Sequence, residues 1–182
     1  MRDLLLRMFV VSLATATFVC GPRSSPDAPV TANFTAFEDE PSGLWGYRDQ
    51  AGRVVIQPRY VMAQDFARGA GTAIDADGWA LIDPTGAVLL RPFNFDNGPD
   101  PFEEGLARYV DSAGRFGFYD ETGKIVIPAR FDFAGQFEDG AAPVCMECKL
   151  IPEGEHRRVS GGRWGRINRA GEFITPLGAV EP

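Results

Sequence analysis

The stretch from Gly114 to Ala142 reads GRFGFYDETGKIVIPARFDFAGQFEDGAA and decides the fold class of this chain. It contains an alternating run, a turn ending at Gly123, a second alternating run ending at Pro128, and an aromatic loop ending at Gly140. Alternation with a period of two indicates a strand with one buried face. The stretch therefore predicts three short strands separated by turns.

The same pattern occurs in three weaker copies before and after this stretch. An aromatic residue opens each signature strand, and in three of the four copies an Asp-x-x-Gly corner such as 120–123 follows it. Asp suits the first turn position because its carboxylate accepts backbone N–H groups, and Gly supplies a positive φ. One unit cannot bury its apolar face alone, so neighbouring units must stack. We predict repeats at about 43–77, 78–113, 114–161 (with an insertion at 145–159) and 162–177 (partial).

The four signature aromatics are expected to belong to the core, because their position relative to the turns is fixed. A ligand-stacking ladder is the alternative. The residue after each aromatic is mostly Gly, which allows a neighbouring backbone to approach closely. The predicted repeat-core residues are Trp45, Trp79, Phe116 and Trp164.

These repeats resemble the WG-repeat family of the KWG type. Trp45-Gly46-Tyr47 and Trp164-Gly165 carry the signature dipeptide, whereas Phe116-Gly117 and Trp79-Ala80 depart from it conservatively. The resemblance covers about residues 37–177. It implies an exported or surface-associated β-repeat module and carries no common activity.

The predicted fold class is all-β, with tandem three-stranded repeats. Gly and Pro number 21 and 14, and with 14 Phe present this indicates many turns between short strands. The irregular repeat spacing favours an open, solenoid-like stack over a closed, propeller-like ring. An unpaired strand at Ala32–Phe37 either completes the last repeat or caps the sheet beside the first one.

The N-terminal residues 1–19 have the features of a signal peptide. Met8–Val19 is almost continuously apolar and too short to span a bilayer. Three outcomes stay open: lipidation of Cys20 as the first mature residue, cleavage after Ala16, and an uncleaved anchor. Residues 20–31 read as a tether, 32–177 as the repeat domain and 178–182 as a tail. We expect export to a bacterial cell envelope, either lipid-anchored at the outer membrane or in the periplasm.

The charge of the chain argues against nucleic acid as a partner. The net charge is −7 at pH 7, and no Lys/Arg cluster could neutralise several phosphates in a row. The expected partner is an unidentified envelope protein or polymer. Membrane contact is expected only through the N-terminal lipid.

The insertion at 145–159 contains the pair Cys145 and Cys148. If Cys20 carries lipid, these two are left, and an oxidising compartment favours a disulfide between them. Metal binding with His156, thiol redox activity and free thiols are the alternatives. Because long insertions in regular repeats tend to carry function, we expect partner contact here. The candidate contact residues are His156, Arg157 and Arg158.

No catalytic residue, cofactor or metal site is predicted, and we expect a non-catalytic binding or scaffolding module. A Ser/His/Asp triad would depend on the lone His156, with no oxyanion motif near any Ser. The alternatives are a hydrolase or a calcium- or metal-binding protein with an unrecognised site. A cleft gathering Glu103, Glu104 or His156 would mark the hydrolase. The candidate calcium ligands are the Asn/Asp cluster Asn94, Asp96, Asn97 and Asp100. The acidic pair Glu103-Glu104 recurs as Glu138-Asp139 in the next repeat, which suits a solvated turn better than a glycosidase pair.

Overall fold

The computed structural model describes residues 33–154 and 156–178, and this part of the chain folds entirely into β-strands and turns. None of its segments forms a helix of the length and apolarity needed to cross a membrane. The predicted signal peptide, Cys20, the tether and most of the tail lie outside the described residues. The strands are β1 (Thr35–Asp39), β2 (Leu44–Arg48), β3 (Val54–Tyr60), β4 (Met62–Ala63), β5 (Gly71–Asp75), β6 (Gly78–Ile82), β7 (Val88–Pro92), β8 (Asn94–Phe95), β9 (Gly98–Pro99), β10 (Leu106–Val110), β11 (Phe116–Asp120), β12 (Ile125–Phe131), β13 (Phe133–Ala134), β14 (Ala141–Met146), β15 (Lys149–Glu153), β16 (His156–Ser160), β17 (Arg163–Asn168) and β18 (Phe173–Gly178).

The strands form an open series of antiparallel sheets. The first sheet has the order β1-β2-β3, the second β12-β11-β10-β7-β6-β5-β4, and the third β13-β14-β17-β18. Two small hairpins, β8–β9 and β15–β16, complete the described chain. Within the described residues no strand pairing joins the first sheet to the last. The prediction of an all-β, open repeat fold is confirmed.

Each signature strand lies in the middle of three strands, but the sheets and the sequence repeats differ in phase. The strand after each aromatic loop pairs with the signature strand of the following repeat, as β5 does with β6 and β14 with β17. The first signature strand therefore needs a partner from outside the repeats. β1 supplies it by pairing with β2, so the N-terminal strand caps the sheet beside the first repeat.

The glycine of the signature dipeptide is required by a bulge in the neighbouring return strand. Where β3, β12 and β18 pass the glycine, the register shifts and their backbone approaches its Cα. A Cβ at Gly46 or Gly117 would lie 2.6 Å from a return-strand carbonyl oxygen, and at Gly165 2.7 Å from one. No side chain fits there.

The second repeat tolerates an alanine at this position because its return strand is paired differently. β7 pairs with β6 only at Leu81 and Ile82, so Trp79 has no return-strand partner, whereas Trp45 pairs with Tyr60 on β3. Ala80 is fully buried, and its methyl group contributes to the core instead.

Apolar side chains from successive repeats meet in three clusters. One combines residues of the first sheet with β4, β5 and β6, and another combines β10, β11 and β12 with the last sheet. The third lies between, around Leu81, Leu90, Tyr109 and Tyr119. Each cluster draws on more than one repeat, which is why a single repeat could not fold alone.

The predicted Asp-x-x-Gly corners form as expected. In the turn after β6 the Asp83 carboxylate accepts the N–H groups of Thr85 and Ala87, at 2.8 and 2.9 Å. The hydroxyl of Thr85 also donates to this carboxylate and lowers the pKa of Asp83, with the backbone N–H groups acting in the same direction. Asn168 makes the equivalent bonds in the last repeat with its amide oxygen.

Candidate functional site

The insertion in the third repeat folds as a β-hairpin rather than a loop. Its strands β15 and β16 pair with each other from Lys149↔Ser160 to Glu153↔His156. In the part of the chain that the structure describes, they pair with no other sheet. The hairpin therefore extends from the junction between β14 and β17.

Two cysteines lie at the base of this hairpin. The Cα atoms of Cys145 and Cys148 are 6.1 Å apart, which is within the range that a disulfide spans. Cys145 is fully buried on β14, and Cys148 directly precedes β15. Gly162 closes the base, because a Cβ there would lie 2.7 Å from Cys145 Sγ. The pair thus joins β14, the strand before the insertion, to the start of the hairpin.

The surroundings of this cysteine pair resemble neither a thioredoxin-type redox site nor, among the described residues, a metal site. A thioredoxin-type site places its cysteines at a helix N-terminus, whereas Cys145 lies on a strand. Among the described residues no group of three His, Cys, Asp or Glu side chains could hold a metal ion. The side chains of His156 and Arg157 lie outside the described part of the structure.

The base of the hairpin is anchored, and the rest is exposed. Leu150 packs against the core cluster of the last sheet, and the Glu147 carboxylate pairs with Arg163 at 2.5 Å. Beyond Leu150 the hairpin exposes an apolar side chain, Ile151, which is 40% accessible. Arg158 is exposed too and pairs loosely with Glu153 at 3.8 Å. This mixed apolar and charged surface suits contact with another molecule.

The four signature aromatics occupy different environments. Phe116 and Trp164 are buried, with 1% and 8% exposure, and Trp164 also donates its indole N–H to the carbonyl of Gly161. Trp45 is half-buried and packs against the core of the first two sheets. Trp79 is half-buried and belongs to none of the described core clusters.

An acidic groove of about 590 Å³ lies beside the last sheet. Glu103, Glu138 and Arg166 line it, so the groove brings together the acidic turns of two successive repeats. Glu104 does not line it, because its carboxylate accepts the N–H of Gly140 at 3.0 Å. Both groove glutamates are exposed to water, whereas the general acid of a glycosidase is a shielded carboxyl group.

The Asn/Asp cluster considered for calcium is divided between two structural roles. Asp96 and Asn97 form the tight turn of the β8–β9 hairpin, both with positive φ. Asp100 is buried and binds Arg108 through two bonds of 2.8 and 2.7 Å. Arg108 also donates to the carbonyl of Ala134 in the following sheet. The sequence pattern does not predict this ion pair, because nothing local distinguishes Arg108 from the exposed arginines.

Two segments of the chain, 45–73 and 116–147, match the protein family described as WG containing repeat. The chain contains WG repeats. The matched segments contain the first and third signature strands, β2 and β11, and the resemblance seen in the sequence is confirmed. No curated protein and no solved structure matches the chain. WG repeats identify a repeat module and not an activity.

Proposed function

We propose that this WG-repeat protein is a non-catalytic binding module that contacts its partner through the β15–β16 hairpin. The observation that carries this proposal is the hairpin itself: it interrupts a regular repeat, is anchored at its base and exposes Ile151 and Arg158. An ordered insertion on a rigid repeat scaffold is a typical place for recognition residues. In this proposal the repeats hold the hairpin in place.

The proposed location is the bacterial cell envelope, with the chain exported and lipidated at Cys20. The N-terminal sequence supports export, and the proposed Cys145–Cys148 disulfide would form in an oxidising compartment. The proposed partner is an envelope protein or cell-wall polymer. The net charge of −7 argues against nucleic acid in this role.

A photo-crosslinking experiment tests the hairpin contact. A photoreactive amino acid replaces Ile151 in the full chain, and the matched control replaces Val61, an exposed β-branched residue with 62% accessibility far from the insertion in sequence. We expect a defined adduct from position 151 in cells and none from position 61. Equal adducts at both positions, or none at either, would refute the hairpin proposal.

A charge-reversal pair adds a second measurement on the same adduct. Arg158→Glu should reduce adduct formation from position 151, because the charge of this exposed hairpin residue is inverted. Arg53→Glu is the matched control, since Arg53 is an exposed arginine with the same kind of acidic neighbour, Asp49. Equal yields from the two variants would contradict a role for Arg158.

Intact mass measurement tests the proposed location separately. We expect a lipid-modified mass on Cys20 in the membrane fraction, and its loss in Cys20→Ser. Thiol alkylation should leave Cys145 and Cys148 unmodified until a reductant is added. A soluble protein with an unlipidated Cys20 and with reactive thiols at Cys145 and Cys148 would overturn the proposed location and leave the crosslinking result unaffected.

A further inference from the structure

Trp79, the signature aromatic of the second repeat, lines a surface groove of about 560 Å³. The groove is formed at one end of the seven-stranded sheet, where β6 begins and β7 and β10 end. Its volume lies within the range of small-molecule sites, about 300–1,000 Å³. It shares no lining residue with the hairpin, so ligand binding in this groove is independent of the proposed hairpin contact.

Trp79 differs from the other signature aromatics in what it contacts. Phe116 and Trp164 both pack against the ring of Phe133, and Trp45 packs against the core of the first two sheets. In the described structure Trp79 has no aromatic partner and joins no core cluster. Burying an indole is strongly favourable, so a half-buried Trp beside a groove points to a ligand-binding role.

The wall beside Trp79 is held rigid by a bidentate ion pair. Arg91 binds the two carboxylate oxygens of Asp75 at 2.7 and 2.8 Å, and it reaches Asp77 at 3.4 Å. Its guanidinium also lies within 3.4 Å of the carbonyl of Trp79. Two carboxylates compensate its charge and, with the carbonyls of Gly78 and Trp79, occupy its terminal N–H groups, so Arg91 shapes the wall without attracting anions.

The rim of the groove supplies hydrogen-bonding groups of both kinds. The Asp77 side chain is 83% exposed, and Asn94 and Ser112 are exposed as well. A carboxylate accepts, whereas an amide and a hydroxyl both donate and accept. Asp111 also lines the groove, but one of its oxygens is occupied by the N–H groups of Ala113 and Arg115. The lining has more carboxylates than cations, which disfavours a phosphate or another anion.

We propose that this groove binds a neutral saccharide. One sugar ring lies with its C–H face on the indole of Trp79, because the positively polarised hydrogens meet the negative face of the ring. Its hydroxyl groups, each a donor and an acceptor, bond to Asp77, Asn94 and Ser112. A cationic ligand fits less well, since cation recognition of this kind uses a cage of several aromatic rings.

Nuclear magnetic resonance titration of the whole protein with N-acetylated chitotriose and with maltotriose tests this site. The chain has three tryptophans, so three indole N–H signals serve as probes. With at least one of the two trisaccharides we expect a saturable shift of the Trp79 signal and constant signals from Trp45 and Trp164. No shift of the Trp79 signal with either trisaccharide would overturn the proposal.

Variants then connect the shift to the named residues. Trp79→Ala should weaken binding by about tenfold or more, and Trp79→Phe, which keeps a stacking ring, by no more than about threefold. Asn94→Ala with Ser112→Ala should also weaken binding, measured on the Trp79 signal. Val61→Ala, at an exposed position that does not line the groove, is the matched control and should leave binding unchanged.

Two results would contradict the saccharide assignment even if the groove binds a ligand. One is a Trp79 shift with penta-lysine and none with the trisaccharides, which would make the groove a cationic peptide site. The other is unchanged affinity in the Asn94→Ala, Ser112→Ala double variant, which would show that these rim residues do not bond to the ligand. Neither result affects crosslinking at Ile151, so this proposal and the hairpin contact fail independently.

Discussion

Replacing Gly117 with alanine should destabilise the protein strongly, although the backbone there has no positive φ. A Cβ at this position would lie 2.6 Å from the carbonyl oxygen of Ile127 and 2.7 Å from the amide nitrogen of Ala129. It would also lie 2.5 Å from the ring carbon Cε1 of Tyr109. Two of these obstacles are backbone atoms, so no side-chain rotation can relieve the clash.

The expected cost follows from these contacts. Overpacking a well-filled site costs about 1–3 kcal/mol. Displacing the return strand also endangers the hydrogen bond of 2.9 Å from the Ala129 N–H to the Tyr109 hydroxyl, and a lost hydrogen bond costs about 1 kcal/mol. We therefore expect Gly117→Ala to lower the free energy of unfolding by about 3 kcal/mol.

Equilibrium urea unfolding, followed by tryptophan fluorescence, measures this change. With a slope of about 2 kcal/mol per molar urea, the midpoint should fall by about 1.5 M. Gly98→Ala is the matched control, because a Cβ at Gly98 meets no atom within 4 Å; its midpoint should change by less than about 0.3 M. If the two substitutions shift the midpoint equally, the close backbone approach does not explain the signature glycine.

Three further predictions concern buried and titrating groups. Asp100→Ala should lower the free energy of unfolding by about 3–5 kcal/mol in urea, because Arg108 is left buried without its counter-charge; a loss below about 1 kcal/mol would contradict the buried pair. Stability should fall as the pH drops below about 4, since the folded-state pKa of Asp83 lies below its unfolded value. Asp83→Asn keeps the acceptor oxygen and should show a smaller loss over that interval; an unchanged pH profile would refute this role. Burial, assisted by the negative charge of Asp100, raises the pKa of Tyr119 to about 12. The difference between the phenolate absorbance titrations of the wild type and Tyr119→Phe should therefore appear near that pH; a difference centred near pH 10 (about the ordinary value) would show that Tyr119 is accessible to water.

The sequence pattern predicted most of the secondary structure, because the signals are local. Alternating residues, the turn at Asp83 and the glycine after three of the four signature aromatics each act within one repeat. The prediction for the hairpin was less complete. Its position and cysteines were recognised, but its paired strands were not, since β15 carries Pro152 and a mixed sequence without a clear alternation.

The groove at Trp79 and the buried Asp100–Arg108 ion pair depend on contacts between residues that are separated in sequence, so the sequence pattern predicted neither of them. Trp79 and Phe116 are in the same place in the repeat pattern, yet one lines a groove and the other lies in the core. Asp100 looked like a turn residue or calcium ligand, but it holds Arg108 inside the protein. A single departure, Ala80 in place of glycine, marked the second repeat as different.

The sequence by itself determined the all-β class, the repeats, their turns and the family, because each depends on residues within one repeat. Only the tertiary structure decided which strands share a sheet and which signature aromatic is left half-buried beside a groove. The physical reason is that alternation specifies a strand and its buried face but not its partner. Partners are chosen by backbone hydrogen bonding and packing between repeats, as in the pairing of β14 with β17 across the hairpin insertion.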